Sequence, residues 1–204
     1  RLGGKVDSQL RTSVDTLRGD PFSLAMQKRR LGNSDLEITT VGIGTWAIGG
    51  GDWSFGWGDQ DEREAINGIL KGVELGVNWI DTAAIYGDGA SEALVGKALK
   101  EIPEAGRPLV ATKCGRIMRE DGSVFGRLKK ESVIAECERS LQLLGVECID
   151  LYQMHWPDPD EDIEEGWAAM AELVQAGKVR EIGVSNQSVD QMTRLQEAHP
   201  VASL

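Results

Sequence analysis

The chain has 204 residues, of which 41% are apolar, and it carries a formal charge of −11 from 22 basic and 33 acidic side chains. This length and apolar content suffice for a hydrophobic core. The negative charge disfavours nucleic acid and anionic membrane surfaces as partners. No apolar stretch approaches the ~20 residues that a membrane-spanning helix needs. We therefore expect a globular protein that binds neither nucleic acid nor membrane.

The cysteines and histidines bear on compartment and on metal binding. The cysteines are odd in number and have no C-x-x-C spacing, which is typical of free thiols in a reducing cytoplasm; they are Cys114, Cys137 and Cys148. With only His155 and His199 besides, the sequence predicts no metal site.

Five short β-branched runs alternate with longer amphipathic stretches from residue 39 onward. Each run is nearly all apolar, as expected of strands that are covered on both faces in a parallel sheet. The predicted strands are TTVGIGTW (39–46), GVNWIDTA (76–83), LVATK (109–113), CIDLYQMHW (148–156) and VREIGVSN (179–186). A sixth strand is predicted to begin in VASL (201–204).

Helix starts are recognisable between these strands. Asp61 with Glu64, and Ser188 with Gln191, fit the capping box, in which two side chains satisfy free backbone donors of the first turn. Strands that alternate with helices predict an α/β fold with a parallel sheet, either doubly wound or closed into a (β/α) barrel.

The polar residues favour the barrel. They follow the carboxyl ends of different strands, where a barrel gathers its active site; they are Asp81, Lys113, His155, Ser185 and Asn186. The glycines after the first strand lack the G-x-G-x-x-G spacing of a dinucleotide-binding sheet, and no helix opens directly behind them.

Three of these residues, Asp81, Lys113 and His155, together with Tyr86 predict carbonyl reduction. A phenol such as that of Tyr86 is a weak acid near neutral pH, and a neighbouring ammonium favours the phenolate and eases proton transfer to a forming alkoxide. Lys113 is placed to supply that ammonium, and Asp81 can hold it charged and oriented. His155 can donate a hydrogen bond to the carbonyl oxygen. A separate group must deliver the hydride.

Four motifs, in this order, resemble the aldo-keto reductase family: WIDTAAIYGDGASEALVGKAL, ATK, IDLYQMHW and GKVREIGVSN. The resemblance runs from about Lys28 to Leu204. WPDP after His155 and GTWAIGGGDW near the start look most like the general stress protein branch found in bacteria. Members of the family are (β/α)8 barrels of the TIM type that use NADPH.

The resemblance implies roles for particular residues. It implies a catalytic tetrad, with Tyr86 as the proton donor, of Asp81, Tyr86, Lys113 and His155. It also implies that Ser185 and Asn186 bind the nicotinamide carboxamide. Near the cofactor it places Gly44, Thr45 and Trp46.

A glycine-rich loop, GGDWSFGWGDQ (50–60), carries three aromatic side chains. Trp53, Phe55 and Trp57 are candidates for the wall of a pocket that takes an apolar or aromatic carbonyl. The alternative is a loop folded onto the barrel rim by its own aromatics, and the sequence leaves both open.

The chain supplies about five and a half of the eight strand–helix units of a barrel. We expect residues 26–204 to form a partial, C-terminally truncated barrel, and residues 1–25 to be an extension outside the family, derived from upstream or vector sequence or added to cover an exposed edge. NADPH is then expected to bind weakly, and open sheet edges to favour a homo-oligomer. The alternative to an enzyme is an inactive family fragment that serves as an oligomeric binding or assembly module.

Overall fold

The computed structural model describes residues 26–50 and 55–204. The predicted extension 1–25 and Trp53 lie outside the described residues. The strands are β1 Lys28–Arg30, β2 Glu37–Thr39, β3 Ile43–Gly44, β4 Trp79–Asp81, β5 Leu109–Cys114, β6 Arg116–Met118, β7 Val124–Gly126, β8 Ile149–Met154 and β9 Val179–Val184. The helices are α1 Glu62–Glu74, α2 Ala90–Glu101, α3 Lys130–Leu144, α4 Ile163–Gln175 and α5 Val189–Gln196.

The central element is a five-stranded parallel sheet in the order β3-β4-β5-β8-β9. This order follows the chain without reversal, whereas a doubly wound sheet reverses its order at a switch point. In register, Asp81 lies opposite Ala111, and Lys113 lies opposite Gln153. The arrangement is therefore a partial (β/α) barrel, as predicted from the distribution of polar residues.

The hydrophobic core fills the space between the sheet and its helices. Its largest fully buried side chains include Trp167 of α4 and Tyr152 of β8. Alternate residues of each strand face opposite sides. On β8, Tyr152 points to the helices and donates to the carbonyl of Val133 in α3, while Leu151 and Gln153 line the barrel interior.

The predicted first strand, 39–46, is divided in the structure. β2 ends at Thr39, β3 holds only Ile43–Gly44, and a short 3-10 turn follows over Trp46–Ile48. At the break the indole of Trp79 packs against the backbone, and a side chain at Gly42 would collide with it. That indole also donates its N–H to the carbonyl of Thr39.

Two antiparallel hairpins were not predicted from the sequence. β1 pairs with β2, and this hairpin is joined by Asn78 and Trp79 to the start of β4. β6 pairs with β7 directly after β5. The Asp121–Gly122 pair at its tip is a turn signal that the sequence did offer.

The last residues run alongside β9, although 201–204 are not themselves a regular strand. Ala202 N donates to the carbonyl of Ile182, and Val184 N donates to the carbonyl of Ser203. Both predicted helix caps are present at α1 and α5. Ser188 and Gln191 form the full reciprocal box, while at α1 the structure shows the bond from Glu64 N to Asp61. No helix in residues 26–50 and 55–204 is long and apolar enough to cross a membrane.

Candidate active site

The predicted catalytic side chains meet at the carboxyl edge of the sheet. Asp81 is the last residue of β4, and Lys113 lies near the end of the neighbouring strand β5. The ammonium of Lys113 donates to both carboxylate oxygens of Asp81 and to the carbonyl of Thr82, each at 2.8 Å. Lys113 is only 7% exposed, so its charge depends on these three acceptors.

Tyr86 reaches the same ammonium from the turn after β4. Lys113 Nζ donates to Tyr86 Oη at 3.4 Å. The turn is held close to the preceding loop by two glycines, because a Cβ at Gly87 would lie 1.8 Å from the carbonyl oxygen of Gly49. Gly87 also has a φ of +61°, which favours glycine. Gly49 is one of the glycines that follow the first predicted strand, and it packs closely against the backbone of Tyr86.

His155 follows β8 and faces Tyr86. The two rings meet edge to face with centroids 5.7 Å apart. Burial, with the charges of Lys113 and Arg116, lowers the pKa of His155 from 6.5 to about 3. The imidazole is therefore neutral near pH 7. Its Nδ1 is buried and has no hydrogen-bond partner within the described part of the chain.

Three buried hydroxyl groups support the backbone behind this cluster. Ser91, in the first turn of α2, lies 2.8 Å from Thr45 Oγ1 and 3.0 Å from Thr82 Oγ1. Thr45 in turn donates its hydroxyl to the carbonyl of Asp81. We call Thr45, Thr82 and Ser91 the hydroxyl cluster. Sequence reasoning missed Ser91 and Thr82, because small hydroxyl residues in a turn read as ordinary caps.

The residues predicted to hold a cofactor lie around the same edge. Asn186 is exposed, and its amide donates to the carbonyl of His155 at 2.9 Å and to Ser185 Oγ at 3.0 Å. Gly44 is exposed, and a Cβ placed there would meet nothing within 4 Å. Trp46 is 45% exposed. Thr45 differs from these, since it is buried in the hydroxyl cluster.

An open cavity of about 450 Å³ lies in front of Tyr86 and His155, and we call it the mouth cavity. Phe55 of the aromatic loop lines it, together with Trp46. Trp57 packs near Trp46, with ring centroids 6.1 Å apart, and is not one of the lining residues. Of the lining residues, sequence reasoning missed Ile85, Arg116, Val124 and Trp156.

A second cavity, of about 420 Å³, occupies the barrel interior. Asp81 and Lys113 lie at its upper end, and its walls include Trp79 and Leu151. The four predicted side chains therefore divide between two cavities, Asp81 and Lys113 below, Tyr86 and His155 above. No group of three or more His, Cys, Asp or Glu side chains suited to a metal ion occurs among the residues described.

The geometry supports one kind of chemistry. A phenol that contacts a paired ammonium, beside a neutral imidazole, can deliver a proton or a hydrogen bond to an oxygen atom in the mouth cavity. Among the residues that the structure describes, the site shows no pair of facing carboxylates of the kind that glycoside hydrolysis needs, since both oxygens of Asp81 accept from Lys113.

Known proteins support this interpretation at the level of the family. The sequence pattern of the Aldo/keto reductase family matches residues 40–204. The chain is 39% identical over 179 residues to the aldo-keto reductase YhdN of Bacillus subtilis, covering 88% of this chain and 53% of the relative. It is 40% identical over 177 residues to the NADH-specific methylglyoxal reductase of Escherichia coli, covering 81% and 53%.

A solved structure shows the same fold. The glycerol dehydrogenase AKR11B4 from Gluconobacter oxydans superposes with a TM-score of 0.77 at 40% identity, over 86% of this chain and 53% of that one. This chain thus spans about half the length of the curated relatives that it matches. The family match covers most of the chain, and the partial barrel agrees with the family's (β/α)8 fold. The chain belongs to the aldo/keto reductase family.

Proposed function

We propose that this chain carries the proton-transfer site of a nicotinamide-dependent reductase that converts aldehydes or ketones to alcohols. The observation that supports it best is the Lys113 ammonium, which contacts the Tyr86 hydroxyl while both carboxylate oxygens of Asp81 hold it in place. A salt bridge with a purely structural role would not need a phenol in contact with its ammonium.

Each of the four side chains has a distinct part in the proposal. Tyr86 donates the proton to the carbonyl oxygen, and the Lys113 charge stabilises the phenolate that remains. Asp81 orients Lys113. His155, neutral because its pKa is about 3, donates a hydrogen bond to the same oxygen and adds no positive charge to the site.

A nicotinamide dinucleotide fits the edge beside these residues. Ser185 and Asn186 offer a hydroxyl and an amide next to His155, and these groups suit the nicotinamide carboxamide. The open space at Gly44 and the exposed face of Trp46 border the same edge. When bound, the cofactor supplies the hydride for the reduction. We propose NADPH, although one relative bears the name NADH-specific.

The proposal also covers the cellular location of the protein and its self-association. Cys114 and Cys137 are buried free thiols, which suits a reducing, cytoplasmic location. β3 is a sheet edge that pairs only with β4 among the described strands. We propose that this edge favours self-association, and light scattering of the purified chain tests it.

The open edge also supports a second candidate, an inactive family fragment that acts as an assembly module. The two candidates differ in turnover and not in fold. If the assembly module is correct, the chain self-associates and reduces no aldehyde with either cofactor.

The test is the oxidation of NADPH and NADH by the purified chain with 4-nitrobenzaldehyde. Tyr86→Phe should lower turnover by at least 100-fold, because it removes the proton and keeps the ring. The chain offers a matched control in its only other tyrosine, Tyr152. Tyr152→Phe removes a hydroxyl that donates to Val133 outside the site, and it should retain turnover.

Cofactor binding separates the outcomes. Quenching of tryptophan fluorescence by NADPH should be the same in Tyr86→Phe and in the parent chain. Equal loss of binding and turnover in Tyr86→Phe would assign Tyr86 a structural role. Unchanged turnover would refute the proposed proton donor.

A further inference from the structure

Arg116 stands out among the residues of the mouth cavity. Of the eight described residues that line it, the side chain of Arg116 is the one that carries a full charge near pH 7, since His155 is neutral there. Arg116 opens β6, directly after the strand that carries Lys113. It therefore lies within the same small volume as the proposed reacting groups but takes no part in the proton transfer.

The guanidinium of Arg116 contacts two neighbouring side chains, but few of its N–H donors take part in hydrogen bonds. It lies over the ring of Trp156, with Cζ 5.7 Å from the centroid. Its Nη1 donates to Asp158 Oδ2 at 2.6 Å. A guanidinium has five N–H donors, and in residues 26–50 and 55–204 this is its one hydrogen bond. The other four donors make no hydrogen bond within this described part of the chain, so up to four can serve a ligand.

Asp158 is the more exposed partner of this ion pair. Its side chain is 59% exposed, against 24% for Arg116. An ion pair with one partner in water contributes little, so an anionic ligand can displace or share that contact at low cost. Arg116 itself stays in place because Trp156 supports it from one side.

The remaining walls of the mouth cavity specify the rest of the ligand. Trp46, Phe55 and Trp156 present aromatic rings to it from three different segments of the chain. Such walls suit a flat, apolar body. A planar carboxylate matches the guanidinium fork, which can bind both of its oxygens.

On the basis of the proposed function, we propose that Arg116 binds an anionic group of the substrate. The preferred substrate is then an aldehyde, with an aromatic or similarly flat body, that bears a carboxylate away from its carbonyl. The carbonyl lies at Tyr86 and His155, and the carboxylate lies at Arg116. The net charge of −11 repels anions in general, so such a preference depends on this local contact.

Binding of product analogues tests this inference without turnover. 4-Carboxybenzyl alcohol and 4-nitrobenzyl alcohol have nearly the same shape, and only the first carries a charge. Ligand-detected NMR titration of the 204-residue chain should give about tenfold tighter binding of the carboxylate. Arg116→Met should abolish that preference.

A second arginine on the same hairpin provides the control. Arg119 lies over Phe125, donates to Ser123, and does not line the mouth cavity. Arg119→Met removes the same formal charge and should keep the tenfold preference. Asp158→Asn removes the competing carboxylate and should raise affinity for 4-carboxybenzyl alcohol two- to threefold.

The outcomes distinguish this inference from the proposed function. Equal affinity for the two alcohols, or failure of the carboxylate to bind, overturns the role of Arg116 even if 4-nitrobenzaldehyde is reduced. Equal losses in Arg116→Met and Arg119→Met overturn it too, because they would show only a long-range charge effect. Absence of aldehyde reduction, with the carboxylate preference intact, refutes the proposed function alone.

Discussion

The two faces of strand β5 both keep ionisable groups away from water, but they do so in opposite ways. On the face toward the barrel interior, the ammonium of Lys113 donates to both oxygens of the Asp81 carboxylate and to the carbonyl of Thr82. A cation and an anion here balance each other at 2.8 Å.

The opposite face, toward α2 and α3, holds two carboxyl groups. Glu92 is fully buried, and its Oε1 accepts from Thr112 at 2.6 Å. Glu136 accepts from the backbone N–H of Gly115 at 3.0 Å. Burial raises the pKa of both groups, that of Glu136 to about 8. Arg139 acts on both from a distance while its guanidinium donates to Asp88.

The difference shows what keeps a charge in a protein interior. A buried group stays ionised where a partner of opposite sign contacts it, and it takes the neutral form where none does. The functional ammonium lies on the paired face of β5. On the outer face, burial raises the pKa of both carboxyl groups. Glu92 and Glu136 accept hydrogen bonds from the Thr112 hydroxyl and the Gly115 N–H, which lie on either side of Lys113.

The largest effect on turnover is expected from breaking the paired face. Lys113→Met leaves the half-buried carboxylate of Asp81 without its cation, which should lower the free energy of unfolding by about 3 kcal/mol. Turnover should fall roughly 1,000-fold, because the Tyr86 phenolate loses its stabilising charge. Urea unfolding and NADPH oxidation measure the two effects.

A double variant isolates the cost of the orphaned charge. Asp81→Asn together with Lys113→Met should recover about 1 to 2 kcal/mol of the lost stability, since no uncompensated carboxylate remains. It should recover none of the turnover. A single Lys113→Met variant as stable as the parent chain would contradict the account of a mutually dependent pair.

A pH-dependent effect is expected from the outer face. Between pH 4.5 and 8 the folded chain keeps a proton on Glu136 that the unfolded chain releases, because folding raises its pKa from 4.5 to about 8. Its contribution to stability is therefore complete below pH 4.5 and is lost as the pH rises through 8. In that window the free energy of unfolding of Glu136→Gln should rise relative to that of the parent chain by up to about 1.4 kcal/mol per pH unit.

His155 changes the free energy of unfolding of the parent chain with pH in the opposite direction. Its pKa falls from 6.5 to about 3 on folding, so its contribution is complete above pH 6.5 and is lost as the pH falls toward 3. Between pH 4.5 and 6.5 the two slopes oppose each other. Urea unfolding at pH 5, 6.5 and 8 should show stability curves of the parent and Glu136→Gln that diverge; parallel curves would refute the raised pKa.

The residues of the paired face could be predicted from the sequence. Strand periodicity and the following turns place Asp81, Lys113 and His155 at the carboxyl ends of three strands, and parallel strands bring those ends to one edge. Tyr86 follows Asp81 by only five residues, so it is expected to lie near the same edge. The partial barrel follows from the same alternation of strand and helix.

The outer face, and the side of the mouth cavity formed by Arg116 and Trp156, could not be predicted from the sequence. Glu92 and Glu136 sit in helices where acidic residues usually face water, and nothing in the local pattern says that these two are buried. Arg116 and Trp156 come from two different loops, and the periodicity of strands does not specify which loops meet. Trp79, which packs against the break in the strand predicted at 39–46, lies far along the chain from it.

The smallest effect is expected from the hydroxyl cluster, which connects Asp81 to the first turn of α2. Ser91 Oγ lies within hydrogen-bond distance of Thr45 O, Thr45 Oγ1 and Thr82 Oγ1. Ser91→Ala leaves these buried groups short of one partner, which should cost about 1 to 2 kcal/mol of unfolding free energy.

The cost should extend to catalysis, because the carbonyl of Thr82 accepts from Lys113 and the carbonyl of Asp81 accepts from Thr45. A small shift of this backbone moves the ammonium relative to Tyr86, so kcat should fall a few-fold while KM for 4-nitrobenzaldehyde stays the same. Ser34→Ala is the matched control, since Ser34 is a buried serine whose hydroxyl makes its hydrogen bonds within the turn between β1 and β2, outside the cluster. If both variants lose equal stability and neither loses kcat, the hydroxyl cluster contributes to packing and does not position Lys113.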